Sequence, residues 1–117
     1  MRKRELRVLA VGDPAVSAYV DSKYGILDGY GRDVQFEAVP WENYYNKMTE
    51  VFAGKAAYDI VMVAGHLWAY DFVRRGYLEE LSYDFEDILP VIAQEMKPDG
   101  KTYLSPSFCD GHIITYR

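Results

Sequence analysis

Apolar and polar positions alternate along this chain in two rhythms, one suited to strands and one to helices. The run LRVLAV, starting at Leu6, is nearly unbroken in its apolar character and predicts a buried strand. Gly12, Asp13 and Pro14 follow, with Asp13 set to cap a helix and Pro14 in its first turn. Val16, Tyr19, Val20, Tyr24 and Leu27 share one helical face until Gly29, Tyr30 and Gly31 end it. Val34, Phe36 and Ala38 then alternate with Gln35 and Glu37, predicting a second strand. Pro40 opens a second helix with Tyr44, Met48, Val51 and Phe52 in one stripe, and Gly54 stops it.

A third run, IVMVA from Ile60, predicts a parallel strand covered by helices on both faces. Gly65 breaks it, His66, Trp68 and Tyr70 come at once, and Trp68, Phe72 and Val73 recur at helical spacing up to a C-cap at Gly76. The order β-α-β-α-β-α predicts a parallel sheet with right-handed crossovers. Beyond Leu81 the pattern changes. Phe85, Ile88, Leu89, Ile92 and Met96 fit a fourth helix, capped by Ser82 or Asp84, that Pro90 kinks or restarts. Lys97, Pro98, Asp99 and Gly100 form a turn, Thr102, Tyr103 and Leu104 a short strand, and HIITY from His112 a last strand.

Composition narrows the classes. A chain of 117 residues is one domain or a piece of one, and 50% hydrophobic with 26% charged residues is globular composition. The net charge of -5 argues against a nucleic-acid partner, which calls for a basic face. No apolar run reaches membrane-spanning length. MRKRE carries the charge of a signal-peptide start without the apolar stretch that should follow, so no signal peptide is read there. The single Cys109 excludes an internal disulfide and a cysteine zinc site.

Catalytic patterns are thin. His66 and His112 are the only histidines and neither has a metal-ligand spacing, so no cofactor or metal is expected. Cys109 has no visible activating partner. No carboxylate pair is marked for acid–base work, and no phosphate-binding glycine motif occurs. Asp13 and the strand YDIVMV invite comparison with a response-regulator-like receiver, and a receiver or effector-sensing domain is the alternative reading. The receiver's aspartate would fall at Ala64 or Gly65, where there is none.

What remains is a set of loops after strands, expected at one sheet edge, where open α/β sheets bind ligands. They carry Asp13, Trp41, Gly65, His66, Trp68, Phe108 and Asp110. Rings that stack on apolar sugar faces, with carboxylates accepting hydroxyl protons, suit a carbohydrate. Each ring has a second reading: Trp41 as a hydrophobic staple of its helix, Trp68 as core, and His66 as a helix-start donor.

In order, LRVLAVGDP, then PWENYYNKMTEVFAGKAAYDIVMVAGHLWAYDFVRRGYLEEL, then DGKTYLSPSFCDGHIITYR resemble the extracytoplasmic solute-binding proteins of ABC importers, in particular those that bind sugars and oligosaccharides. Nearly the whole chain takes part. The resemblance implies an α/β, three-layer lobe of the type II periplasmic-binding-protein fold, mostly parallel, with helices on both faces. Residues 1–117 would be the N-terminal lobe alone, stopping near the hinge strand at Tyr116 and Arg117, with the second lobe missing. It further implies a small solute in an interlobe cleft, a membrane permease as partner, no enzymatic activity, and a periplasmic or extracellular location, lipid-anchored in the full-length form. A lone lobe would bind weakly and self-associate, even as a homodimer, through its uncovered apolar face. Leu104, Ser105 and Pro106 depart from the family's glycine-containing triplet, and Cys109 stands in a loop that often holds ligand contacts.

Overall fold

The computed structural model describes residues 5–82, 86–107 and 114–117. The chain forms two compact units, Met1–Met62 and Val63–Arg117.

The first unit is built on strand β1 (Leu6–Val11), whose Leu9, Ala10 and Val11 are buried. Strand β2 (Val34–Val39) lies parallel along one side, with Leu6 opposite Val34 and Val11 opposite Val39. A two-residue strand β3 (Ile60–Val61) lies parallel along the other, Val8 opposite Ile60 and Leu9 opposite Val61. The order β2-β1-β3 makes β1 central, in keeping with an apolar run broken only by Arg7. The alternation expected in β2 holds from Val34 to Glu37, with Gln35 and Glu37 exposed between half-buried Val34 and Phe36, and fails at Ala38, which is exposed, Val39 being half-buried in its place.

Two expectations for this unit fail. Helix α1 (Pro14–Ser17) is four residues long and does not continue through Leu27. Val16 is buried, but Tyr19, Val20, Tyr24 and Leu27 stay open to solvent. Residues 18–31 instead follow successive turns: the Tyr24 N–H donates to the Asp21 carbonyl, the Asp21 side chain accepts from the Lys23 N–H, and Gly25 has φ +58°. A local side-chain acceptor and a left-handed glycine outcompete the helix ladder. The third apolar run forms no long buried strand either. β3 is at the sheet edge, Ile60 is 52% exposed, and residues 61–64 are half-buried. An edge strand has one partner, so pairing stops once β1 turns away.

Helix α2 (Trp41–Phe52) agrees with its pattern. Tyr44 and Met48, four apart and on one face, are almost fully buried. Gly54 ends it with φ +83° and donates its N–H to the Val51 carbonyl.

The second unit opens with a π-helical segment (Gly65–Ala69) running into helix α3 (Tyr70–Arg74). Ala69 and Phe72 are its buried members. The Tyr77 N–H reaches the Phe72 carbonyl and the Gly76 N–H the Val73 carbonyl, both at 3.0 Å, which closes a Schellman motif around Gly76 at φ +72°. Pro90 starts a fresh helix, α4 (Pro90–Met96), whose Met96 is buried and which packs on the π-helical segment. Leu89, expected on the apolar face, is 66% exposed, because it stands before the first turn as the cap. Phe85 and Asp84 lie outside the described residues.

The turn at Lys97 to Gly100 is present, Gly100 having φ +89°. Thr102, Tyr103 and Leu104 do not form a strand. Their backbone instead ties to Leu81 (N–H to the Thr102 carbonyl, 2.7 Å) and to the Met96 carbonyl (Tyr103 N–H, 3.0 Å), neither of which belongs to a strand. Of the last expected strand, His112 and Ile113 lie outside the described residues. Ile114 and Tyr116 are over 90% exposed and not in a strand. The protein is a mixed α/β chain organised on a small parallel sheet.

Candidate functional site

Because Val11 faces Val39 in parallel register, the segments after both strands leave the same edge of the sheet together. The Gly12 N–H donates to the Val39 carbonyl at 2.8 Å, holding the two exits side by side. β1 also turns here from its neighbour β2 to its neighbour β3, the topological switch at which open parallel sheets leave a crevice.

Asp13 and Trp41 each stand two residues beyond a strand end at this edge. Asp13 is half-buried and acts as the cap of α1, its Oδ1 accepting from the Ala15 N–H at 2.8 Å. Trp41 is the first residue of α2 and is 51% exposed, so its ring is not buried as a staple would be.

Gly65, His66 and Trp68 share the π-helical segment of the second unit. That segment begins when the Leu67 and Trp68 N–H groups both turn back to the Ala64 carbonyl, at 3.1 and 3.0 Å. π-Helical turns are uncommon and gather at functional positions. The Trp68 ring is half-buried and tilted against Phe72, centroids 6.5 Å apart, which gives it a packing duty whatever else it touches. Phe108 and Asp110 lie outside the described residues.

Sequence reasoning passed over a polar cluster on the first unit. Arg7, Gln35, Phe36, Glu37 and Tyr58 line a shallow hollow of about 210 Å³. The Tyr58 hydroxyl donates to Glu37, Lys47 lies 3.6 Å from the same carboxylate, and the Arg7 guanidinium sits 4.9 Å from the Tyr58 ring centre. The Tyr58 hydrogen bond, then Lys47 and Arg7, hold the Glu37 carboxyl below its usual range; Glu37 in turn raises the Tyr58 phenol. These groups satisfy one another, and the cluster reads as a tie between strands. Its only signal in the sequence was the polar side of the β2 alternation.

Tyr44 was also underestimated, being read as stripe alone. Its ring is core, but its hydroxyl reaches the Met62 carbonyl at 2.6 Å and lies 3.2 Å from the Leu9 carbonyl. Burial pushes this phenol well above its ordinary range, so it is a neutral donor under all ordinary conditions. Among the described residues, no group of three or more histidine, cysteine or acidic side chains could hold a metal ion, and no helix is long and apolar enough to cross a membrane.

The first unit is thus a parallel α/β unit with Asp13 and Trp41 both placed at the carboxyl edge of its sheet. The chain belongs to the bacterial extracellular solute-binding proteins, the family whose model matches residues 14–109. That membership takes the place of the receiver alternative. A similar solved structure is the crystal structure of M. tuberculosis UspC in a monoclinic form, with a TM-score of 0.71 at 20% sequence identity. The likeness covers 86% of this chain and 25% of UspC, so this chain spans about a quarter of that protein's length and shares its fold over that part. No curated protein matches the chain.

Proposed function

We propose that this chain is the first lobe, residues 1–117, of a two-lobed solute-binding subunit of an ABC importer that carries a sugar or oligosaccharide. The observation that carries the reading is the family match over residues 14–109, taken with the paired strand exits that hold Asp13 and Trp41 at one edge. In this reading Trp41, Trp68 and Phe108 stack on apolar sugar faces, while Asp13, His66 and Asp110 meet hydroxyl groups and Gly65 lets the backbone approach. The second lobe closes the cleft, hinge closure traps the solute, and the closed form docks on the membrane permease. The subunit works in the periplasm or at the outer cell surface, held by a lipid anchor in its full-length form, and has no catalytic step.

One lobe supplies one wall of such a cleft, so this chain alone binds sugar weakly and self-associates through its uncovered apolar surface, as a homodimer in the simplest case. The test is a thermal-shift screen of the full-length, two-lobed protein against glucose, maltose, cellobiose and xylose, with spermidine and a dipeptide as comparators. A shift with one of the sugars, lost in Trp41→Ala, is expected. A shift with spermidine or the dipeptide alone would replace the sugar by another solute class. Micromolar sugar binding by the 117-residue chain would refute the requirement for a second lobe.

A further inference from the structure

The hollow lined by Arg7, Gln35, Glu37 and Tyr58 lies at the opposite end of the sheet from Asp13 and Trp41. Arg7 and Gln35 are the second residues of β1 and β2 and stand opposite each other in parallel register. Their side chains therefore leave one face of the sheet, from strands about 4.8 Å apart. Glu37 follows two residues later on the same face, and its carboxylate is engaged by the Tyr58 hydroxyl and, at 3.6 Å, by Lys47. That tie holds the Tyr58 ring, and the ring holds the Arg7 guanidinium, 4.9 Å from its centre. A ring answers the charge of a guanidinium but offers no oxygen to its N–H groups. Among the described residues, neither those N–H groups nor the Gln35 side-chain amide has a hydrogen-bond acceptor. Two donors from neighbouring strands thus line one hollow, the charged one held in place by its ring.

We propose that this hollow is a binding site for a small organic monocarboxylate, with the Arg7 fork and the Gln35 amide donating to its oxygens. A guanidinium carries its N–H groups in a rigid planar fork that matches the two oxygens of a carboxylate, and contact with a ring limits how far that fork can turn. Gln35 adds a neutral donor from the next strand. The volume of about 210 Å³ falls below the roughly 300–1,000 Å³ of drug-sized ligand sites and suits a molecule of a few carbon atoms. The neighbouring charges favour one negative charge over two. Lys47 and the Tyr58 hydroxyl face Glu37, and the backbone N–H of Arg7 donates to Asp59 at 2.9 Å, so both carboxylates are matched before the ligand arrives. A dianion would set a second charge against those carboxylates with one guanidinium to receive it.

The test is an NMR titration of the 117-residue chain with acetate, read at the Arg7 Nε–H and the Gln35 side-chain amide. Saturable shifts at both are expected with acetate. Acetamide, nearly the same shape without the charge, is expected to give none, and inorganic phosphate to bind more weakly than acetate. Arg7→Lys keeps the charge and removes the fork, and is expected to weaken acetate binding roughly ten-fold, as loss of one charge-assisted hydrogen bond implies. Arg7 is exposed, and far-UV circular dichroism checks that the variant keeps its fold. Acetate shifts that are absent or do not saturate would overturn the proposal. So would an equal response to acetamide, phosphate binding as tight as acetate, or full acetate affinity in a folded Arg7→Lys variant. If that variant does not fold, the three titrations of the unaltered chain still decide the matter. No readout involves a sugar or the edge that carries Asp13 and Trp41, so failure of the sugar reading and failure of this one are told apart.

Discussion

Tyr58, just ahead of the edge strand β3, donates its phenolic proton to Glu37 of β2, across the end of β1 that carries Arg7. The bond joins the two outer strands on the polar side of the sheet, and it ties two titrations together. The folded-state pKa of Glu37 is lowered, so its contribution is present above the unfolded value near 4.5 and fades as pH falls through the lower folded value. The folded-state pKa of Tyr58 is raised, so its contribution is present below the unfolded value near 10.0 and fades as pH rises through the higher folded value. Both side chains are largely solvated, which limits the tie to less than about 1 kcal/mol. Tyr58→Phe is therefore expected to lower the urea midpoint slightly at pH 7, with the deficit vanishing at strongly acidic and strongly alkaline pH. A deficit that is constant with pH would contradict this account.

The core of the first unit rests on α2 against β1, and the edge strand adds little. Met48 is fully buried, so Met48→Ala is expected to cost about 2–5 kcal/mol. Ile60 is 52% exposed, and Ile60→Ala is expected to cost under about 1 kcal/mol. Chemical denaturation followed by far-UV circular dichroism gives both values. An equal cost at the two positions would mean that β3 is buried, as its apolar run first suggested.

Asp13 has two possible duties that charge can separate. As the cap of α1 it needs only an acceptor oxygen, which Asn also provides. Asp13→Asn is expected to hold stability within about 0.5 kcal/mol, whereas Asp13→Ala loses about 0.5–2 kcal/mol. If the carboxylate also accepts a solute hydroxyl proton, Asp13→Asn weakens sugar binding by the full-length protein while the melting temperature stays put. Calorimetric titration beside thermal melts reads the two effects separately.

The elements that could be read from the sequence are those where one local rule met no rival. β1, β2, α2 with its Gly54 stop, and the Gly76 cap have the predicted places because apolar pattern and breaker residues agree there. The helix expected through Leu27 failed because periodicity sees spacing and misses the Asp21 side chain and Gly25, which offer the backbone a competing turn. The run from Ile60 misled because an apolar strand reads the same at an edge as in the middle; neighbours decide, and neighbours are not local. In the candidate site Asp13 and Trp41 were legible through their position after strands, although Trp41 opens a helix and does not stand in a loop. The Tyr44 hydroxyl was not, since helical spacing explains the ring and is silent about its oxygen.

Gly76 illustrates a cost that has nothing to do with space. A Cβ added there would meet nothing within 4 Å, yet φ is +72°. Gly76→Ala is therefore expected to destabilise the second unit by about 1–2 kcal/mol through backbone conformation alone. Gly76→Asn should cost less, because Asn tolerates the left-handed region better. Thermal melts of the two variants supply the ranking, and an Ala variant as stable as the parent would show that the Schellman closure is not retained.

The two tryptophans differ in surroundings, and their fluorescence should report it. Trp41 is 51% exposed at the start of α2, while Trp68 is half-buried against Phe72. Trp68→Phe leaves Trp41 as the sole emitter and is expected to give a red-shifted spectrum that acrylamide quenches readily. Trp41→Phe leaves Trp68, whose emission should lie further to the blue and resist quenching. The stabilities should follow the same order: Trp68→Ala strips a partner from the nearly buried Phe72 and is expected to cost about 2–4 kcal/mol, against less than about 1 kcal/mol for Trp41→Ala. For solute binding the order is expected to reverse in the full-length protein. Trp41 is the more exposed ring and stands at a strand exit, so Trp41→Ala should lose the larger share of affinity at the smaller cost in stability. If Trp41→Ala instead destabilises as much as Trp68→Ala, its ring serves the fold, and the stacking role at this edge passes to another side chain.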